Sequence, residues 1–184
     1  MESLRSSVIR LAHANPELRP HLLPLLKVAA EEVNVRGKHI LDNADVWGRA
    51  EVSGDAKVLD NAKVYGGAEV SGDAKVGGNV LVLEDAKVFG NAKLSGNAAV
   101  NGRAEVYENA KVYGKAHVYG GAKVAGNAKV YGGADVSGDA HVYGTAQVYG
   151  EANISGTAII TGGNWDGSEG PITKGTWKSP GVRG

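Results

Sequence analysis

The amino-acid sequence predicts an all-β solenoid, and three observations support this fold class. A six-residue unit, Ala-x-Val-x-Gly-x, fills residues 44–163 as twenty consecutive copies without insertion or deletion. Apolar residues alternate with other residues within each unit, as in a short half-buried strand. The residue after the unit's glycine is mostly Asn, Asp or Gly, which accept the left-handed backbone of a sharp corner.

A strand this short cannot bury its apolar side alone, so the units must stack as coils with Ala and Val inside. Three units per coil give 18 residues, a triangular cross-section and a rod roughly 32 Å long at about 4.8 Å between stacked strands. The glycine is replaced at Asp60, Glu84 and Glu108, which follow one another at intervals of four units. That period also stacks in a 12-residue coil, so a flat two-sided solenoid stays open, as does duplication of a four-unit block.

Residues 1–37 lack the repeat and predict a helical N-terminal segment. A first helix would begin near Ser3 and a second at Asn15–Pro16, since proline at the first helical position loses no hydrogen bond. Pro24 would kink or end the second helix. The apolar face of the second helix carries four leucines: Leu18, Leu22, Leu25 and Leu26. We expect this segment to cap the first coil or to dock onto a partner.

The repeat array is assigned to residues 38–163, and residues 164–184 predict an irregular tail. Glycine and proline punctuate this tail, which is typical of loops. It carries Trp165 and Trp177, which we expect to cap the upper end of the solenoid or to contact a partner.

Composition excludes several classes of protein. Lys plus Arg equals Asp plus Glu at 20 each, so net charge gives no case for a nucleic-acid or membrane partner. There is no cysteine and hence no disulfide or thiolate site. No apolar run is long enough to span a membrane, and no secretion signal is recognisable at the N-terminus. A cytoplasmic or virion-associated location is therefore predicted.

The spacing of the array resembles the hexapeptide-repeat family, in which a small residue follows an aliphatic one by four positions. Residues 64–69 (VYGGAE) and 88–93 (VFGNAK) both fit, and the resemblance covers about two-thirds of the chain. It implies a left-handed parallel β-helix, often trimeric, and favours three units per coil. The family includes acyltransferases and γ-class carbonic anhydrases. Looser solenoid relatives, the bactofilins and phage structural proteins, are not enzymes.

Catalysis is not predicted, although the family contains enzymes. The acyltransferases it resembles use a histidine base at a subunit seam and long loops that leave the coil to form an acyl-donor pocket. This chain has no such insertion. His117 and His141 would be the candidates for a general base, but in a coil of three units they lie on different faces. We predict no catalytic site, no metal site and no cofactor.

Two outward columns are the candidate surfaces of the rod. At a period of three units one column is basic, comprising Lys57, Lys75, Lys93, Lys111 and Lys129. The column beside it comprises Asp55, Asp73, Asn91, Asn109 and Asn127. The lysines are either a stripe for an anionic partner or a solvated face, in which the Asn amides could bond along themselves as a ladder.

The second column is aromatic: Tyr113, Tyr131 and Tyr149 stack at a period of three units, whereas a period of two units would stack Tyr107, Tyr119, Tyr131 and Tyr143. Such a column could be an interface between rods or a platform for sugars, or it could reflect only the preference of Tyr for strands.

These observations predict a non-enzymatic structural scaffold. We expect it to self-associate, most simply as a homotrimer with end-to-end stacking as the alternative. Residues 1–37 would attach it to a larger assembly such as a virion, a tail or a cytoskeletal polymer. A hexapeptide acyltransferase and a carbohydrate-binding or adhesion module using the tyrosines are the alternative functions.

Overall fold

The computed structural model describes residues 34–35, 40–179 and 182–183. They form a parallel β-solenoid of about seven coils, in which each strand of the array pairs with the strands three repeat units before and after it. Lys93, for example, lies between Lys75 and Lys111. The coil therefore contains three six-residue units, and the flat two-sided alternative with two units per coil is wrong.

The strands are short and belong to three sheets, one for each side of the coil. The ten-stranded sheet, here sheet 1, comprises β1 (Asn34–Val35), β3 (Glu51–Val52), β6 (Glu69–Val70), β9 (Lys87–Val88), β12 (Glu105–Val106), β15 (Lys123–Val124), β18 (His141–Val142), β21 (Ile159–Ile160), β23 (Thr176–Ser179) and β24 (Val182–Arg183). Sheet 2 comprises β4 (Lys57–Val58), β7 (Lys75–Val76), β10 (Lys93–Leu94), β13 (Lys111–Val112), β16 (Lys129–Val130), β19 (Gln147–Val148) and β22 (Asn164–Trp165). Sheet 3 comprises β2 (Asp45–Val46), β5 (Lys63–Val64), β8 (Leu81–Val82), β11 (Ala99–Val100), β14 (His117–Val118), β17 (Asp135–Val136) and β20 (Asn153–Ile154).

The core contains almost only the Ala and Val of the repeat. From Val64 to Ala92 every one of these side chains is fully buried, while the residues between them face outward. Backbone hydrogen bonds join successive coils: the amide of Lys93 donates to Ala110 O at 2.9 Å, and the amide of Ser95 donates to Val112 O at 3.0 Å. This ladder leaves the outward side chains free to vary, since the fold depends on the buried ones.

Glycine is required at a typical corner for two reasons. Gly96 has φ +73°, a region that side chains avoid. A Cβ on Gly96 would also lie 3.0 Å from both N and O of Gly114 in the next coil. The coils therefore stack at their corners with backbone directly against backbone.

The three acidic residues that replace glycine keep this left-handed corner, and each adds a hydrogen bond to the next coil. Asp60, Glu84 and Glu108 have φ values of 60°, 62° and 58°. The amides of Gly78, Gly102 and Gly126, each one coil later, donate to their carboxylates at 2.6, 2.6 and 2.7 Å. Because the spacing is four units and the coil has three, each carboxylate falls at a different corner. The four-unit spacing of these replacements therefore does not indicate the number of units in a coil.

The solenoid extends beyond Gly163. Asn164 pairs with Gln147 and Trp165 with Val148, so this coil is one residue shorter than the others. Trp165 occupies a Val position, is fully buried, and donates from its indole nitrogen to Gly162 O at 2.7 Å. Strand β24 pairs antiparallel with β23 and is the last strand of sheet 1. Part of the predicted tail is thus regular sheet.

The predicted helices lie outside the described residues, as do Leu18, Leu22, Leu25 and Leu26. Asn34–Val35, within the segment predicted to be helical, form strand β1 and pair with β3. Among the described residues no helix is long and apolar enough to cross a membrane.

Substitutions at Glu84 test the corner bond. Glu84→Ala keeps the left-handed strain but loses the bond to Gly102, so we expect a loss of about 1 kcal/mol in the free energy of unfolding. Glu84→Gly loses the same bond but relieves strain, so it should be more stable than Glu84→Ala by about 1 kcal/mol. Urea unfolding followed by circular dichroism measures both. Asp85→Ala, at an exposed neighbouring position, is the control; an equal loss there would contradict the explanation.

Candidate functional site

The three faces of the rod carry different charges, although their backbones are alike. On sheet 1 acidic and basic residues share one outward column and pair with one another. Lys87 Nζ lies 2.9 Å from Glu69 Oε1, and Lys123 Nζ lies 3.2 Å from Glu105 Oε2. The hydrogen bond to Glu69 and its negative charge raise the pKa of Lys87. Lys87 and Lys123 are therefore each paired with a glutamate one coil earlier, whereas Glu51 and Glu69 lie side by side with like charge.

Sheet 2 carries the predicted basic column, and its register is confirmed. The five lysines are aligned by strand pairing: Lys57, Lys75, Lys93, Lys111 and Lys129. All are exposed or half-exposed. Within the described chain none of them has a carboxylate within ion-pair distance. Five like charges thus follow one another at the strand spacing of about 4.8 Å.

These lysines form one wall of an open groove of about 760 Å³. The other wall comprises Asp55, Asp73, Asn91, Asn109 and Asn127, from the corner between sheets 1 and 2. We call this surface the lysine groove. It runs parallel to the rod axis over five coils. Its first two coils carry a carboxylate, and its last three carry only amides opposite the lysines.

The amides of the lysine groove do not bond to one another. Asn91, Asn109 and Asn127 make no side-chain hydrogen bond to any described residue. An amide ladder exists at another corner instead, with Nδ2 to Oδ1 distances of 3.4, 3.3 and 3.0 Å along Asn43, Asn61, Asn79 and Asn97. The prediction that these amides bond to one another as a ladder is therefore wrong. The groove amides have free donors and acceptors.

The tyrosine column is confirmed at the period of three units. Ring centroids are 4.8 Å apart between Tyr113 and Tyr131 and 5.1 Å apart between Tyr131 and Tyr149, with planes 2° and 8° from parallel. Tyr131 thus has a ring on each side. Burial, and then the neighbouring Tyr131, raise the pKa of Tyr113. The column follows the buried Val of each strand and so lies at the edge of sheet 2 away from the lysine groove.

The remaining candidate residues are dispersed. His117 lies on sheet 3, where its Nδ1 is 3.4 Å from Asp135 Oδ1, and His141 lies on sheet 1. No three His, Asp or Glu side chains of the described residues converge as metal ligands would. Trp165 belongs to the core, and Trp177 packs edge-to-face against it with centroids 6.0 Å apart. The two tryptophans border a depression of about 440 Å³ at the upper end.

Comparison with known proteins yields no matching family model, no matching curated protein and no matching solved structure. The functional argument therefore depends on the fold and on the columns it creates. Sequence reasoning found both columns, because each follows from a period of three units. It missed the free amides, which depend on side-chain conformation.

The tyrosine column predicts a pH dependence of stability. Because the folded pKa of Tyr113 is raised, its contribution is complete below the unfolded pKa of about 10 and is lost as the pH rises through the folded value. Tyr113→Phe keeps the ring but removes this proton. We expect the melting temperature of the variant to fall less steeply than that of the parent above about pH 10. Tyr119→Phe, on sheet 3, is the control, and equal pH profiles for parent and Tyr113→Phe would refute the prediction.

Proposed function

We propose that the chain is a non-enzymatic structural protein, a rigid left-handed β-helix of the hexapeptide-repeat type that scaffolds a larger assembly. One observation carries the proposal. From Ile40 to Ile160 the strand pairing keeps three units per coil, so no loop leaves the rod there to build an enclosed pocket. Each coil instead repeats the same backbone and displays one more member of each side-chain column.

The physics of the stack suits a mechanical role. Each coil bonds only to its neighbours, so coil number sets rod length, and stability grows with every interface between coils. Buried Ala and Val give a narrow core without flexible side chains. A spacer needs such a fixed length and stiffness. Residues 1–37 would attach this spacer to a virion, a tail or a cytoskeletal polymer, in keeping with a cytoplasmic or virion-associated location.

Lateral self-association, most simply as a homotrimer, fits the surfaces better than end-to-end stacking. An unpaired sheet edge invites a second copy, but a very short edge strand limits such pairing. At the upper end sheet 1 ends in β24, an antiparallel strand of two residues. The sides of the rod offer Tyr113, Tyr131 and Tyr149, which are half-buried within the chain. Aromatic residues are enriched at protein interfaces. We therefore propose the tyrosine column as the contact between rods.

The alternative functions have less support. An acyltransferase would need one base and a donor pocket at a seam, but His117 and His141 lie on different sheets. A sugar platform would need open ring faces, whereas Tyr131 has another tyrosine ring stacked on each side. Neither alternative explains why the coils keep a constant length of three units.

Light scattering after size exclusion tests the proposal on the full chain over a concentration series. We expect a mass of three 18.9 kDa chains and a single-chain mass for Tyr113→Ser, Tyr131→Ser and Tyr149→Ser combined. Tyr107→Ser, Tyr119→Ser and Tyr143→Ser combined are the matched control and should leave the mass unchanged.

A single-chain mass of the parent at every concentration would overturn self-association. If the first triple variant does not fold, Tyr131→Lys tests the same contact, because it places a like charge at the centre of the interface. An unchanged oligomer in that variant would exclude the tyrosine column.

A further inference from the structure

We propose that the lysine groove binds an acidic polysaccharide, which lies lengthwise along the rod with acid groups toward the lysines. This function goes beyond the scaffold, since it requires neither self-association nor the N-terminal segment. Its basis is the contrast between two faces of one molecule that have the same backbone but differ in how their lysines are neutralised.

The first argument is electrostatic. On sheet 1 the chain places Glu69 beside Lys87 and Glu105 beside Lys123. On sheet 2 it places lysine against lysine over five coils. Like charges directly opposite across strands destabilise a sheet. The chain has equal numbers of acidic and basic residues, so general basicity does not explain the column. A polyanion in the groove would remove the repulsion.

The second argument concerns the opposite wall. Asn91, Asn109 and Asn127 present amides without a partner among the described side chains. An amide both donates and accepts hydrogen bonds, which suits the hydroxyl groups of a sugar. A chain of acidic sugars carries hydroxyls and acid groups together. The two walls of the groove therefore match the two kinds of polar group on one ligand.

The groove also has a direction. Asp55 and Asp73 lie opposite the first two lysines and would repel an anionic chain there. The last three coils, with Lys93, Lys111 and Lys129, carry only amides on that wall. Affinity should therefore concentrate on these three lysines. Each exposed ion pair is weak, but one chain that contacts several in succession gains from their linkage.

The two kinds of polar group favour a glycan over other polyanions. The ladder is straight, with a step of about 4.8 Å, so a linear polyanion can follow it. An acidic peptide strand would bring carboxylates to the lysines but no row of hydroxyl groups to the amides. Single-stranded nucleic acid is held by stacking of bases on aromatic rings, but the tyrosines of sheet 2 stack on one another and lie at its opposite edge.

Fluorescence anisotropy of the full chain with a labelled oligogalacturonate, which has one carboxylate per sugar, tests the proposal. Lys93→Gln, Lys111→Gln and Lys129→Gln combined should weaken binding by about tenfold or more. The matched control is Lys63→Gln, Lys115→Gln and Lys174→Gln combined, which removes the same charge from exposed lysines outside the groove. We expect this control to change affinity less than about twofold. Equal losses in both triple variants would mean that only net charge matters and would overturn the site.

A gain of affinity provides the second arm. Asp55→Asn and Asp73→Asn combined should tighten binding several-fold and extend the site to all five lysines, most clearly at low salt. Asp85→Asn and Asp139→Asn combined are the control, because they change the same residue type at the same position of the repeat unit but at the corner between sheets 3 and 1. No gain, or the same gain in both variants, would contradict the repulsion argument.

Competition decides the class of ligand. Unlabelled oligogalacturonate should displace the probe at lower concentration than oligo-dT or poly-glutamate of similar charge. Stronger displacement by either of these would replace the glycan with a nucleic acid or an acidic polypeptide. Circular dichroism melts confirm that each variant is folded. Because binding and mass are measured separately, a monomeric parent that binds the glycan would refute self-association and leave the binding site standing.

Discussion

The constraint on which the whole structure depends is the fixed register between coils. In each unit backbone amides donate to carbonyls of the following coil, as Lys93 N does to Ala110 O at 2.9 Å. A slip by one residue would turn Ala and Val outward and polar residues inward. Register therefore excludes insertions within the strands of the array, and it also makes every outward position a member of a column. Surface chemistry on this rod comes in lines and not in patches.

The corners impose the second constraint, and they explain where sequence variation is allowed. Gly96 must be small because Gly114 lies directly against it, and its backbone must be left-handed. An acidic residue at a corner accepts that strain and gains a short bond to the next coil, as between Glu84 and Gly102. Packing of the core and the geometry of the corners thus determine the Ala, Val and Gly positions of the repeat unit. The outward positions are free of these two constraints.

Much of this fold was predictable, because a period of six with alternating burial allows few solutions. Alternation alone does not set coil size, since Ala and Val face inward with either two or three units per coil, and the three-unit coil was predicted from the resemblance to the hexapeptide repeat. The position of Trp165 was not predictable, because it requires a coil one residue shorter than the rest. The lysine and tyrosine columns follow from the period once the coil is known. The free amides of Asn91 and its neighbours do not, because identical spacing at Asn61 and Asn79 gives a bonded ladder.

The comparison of sheets 1 and 2 separates what the fold requires from what it permits. Between β3 and β19 the strands of both sheets have two residues, one outward and one inward, and the inward residue is Val except at Leu94. On sheet 1 the same geometry carries ion pairs between Glu and Lys of successive coils, although one pair of neighbours there, Glu51 and Glu69, has like charge. The unneutralised lysines of sheet 2 therefore are not a requirement of folding. Like charges side by side across strands are unfavourable, and a bound polyanion would reduce that repulsion.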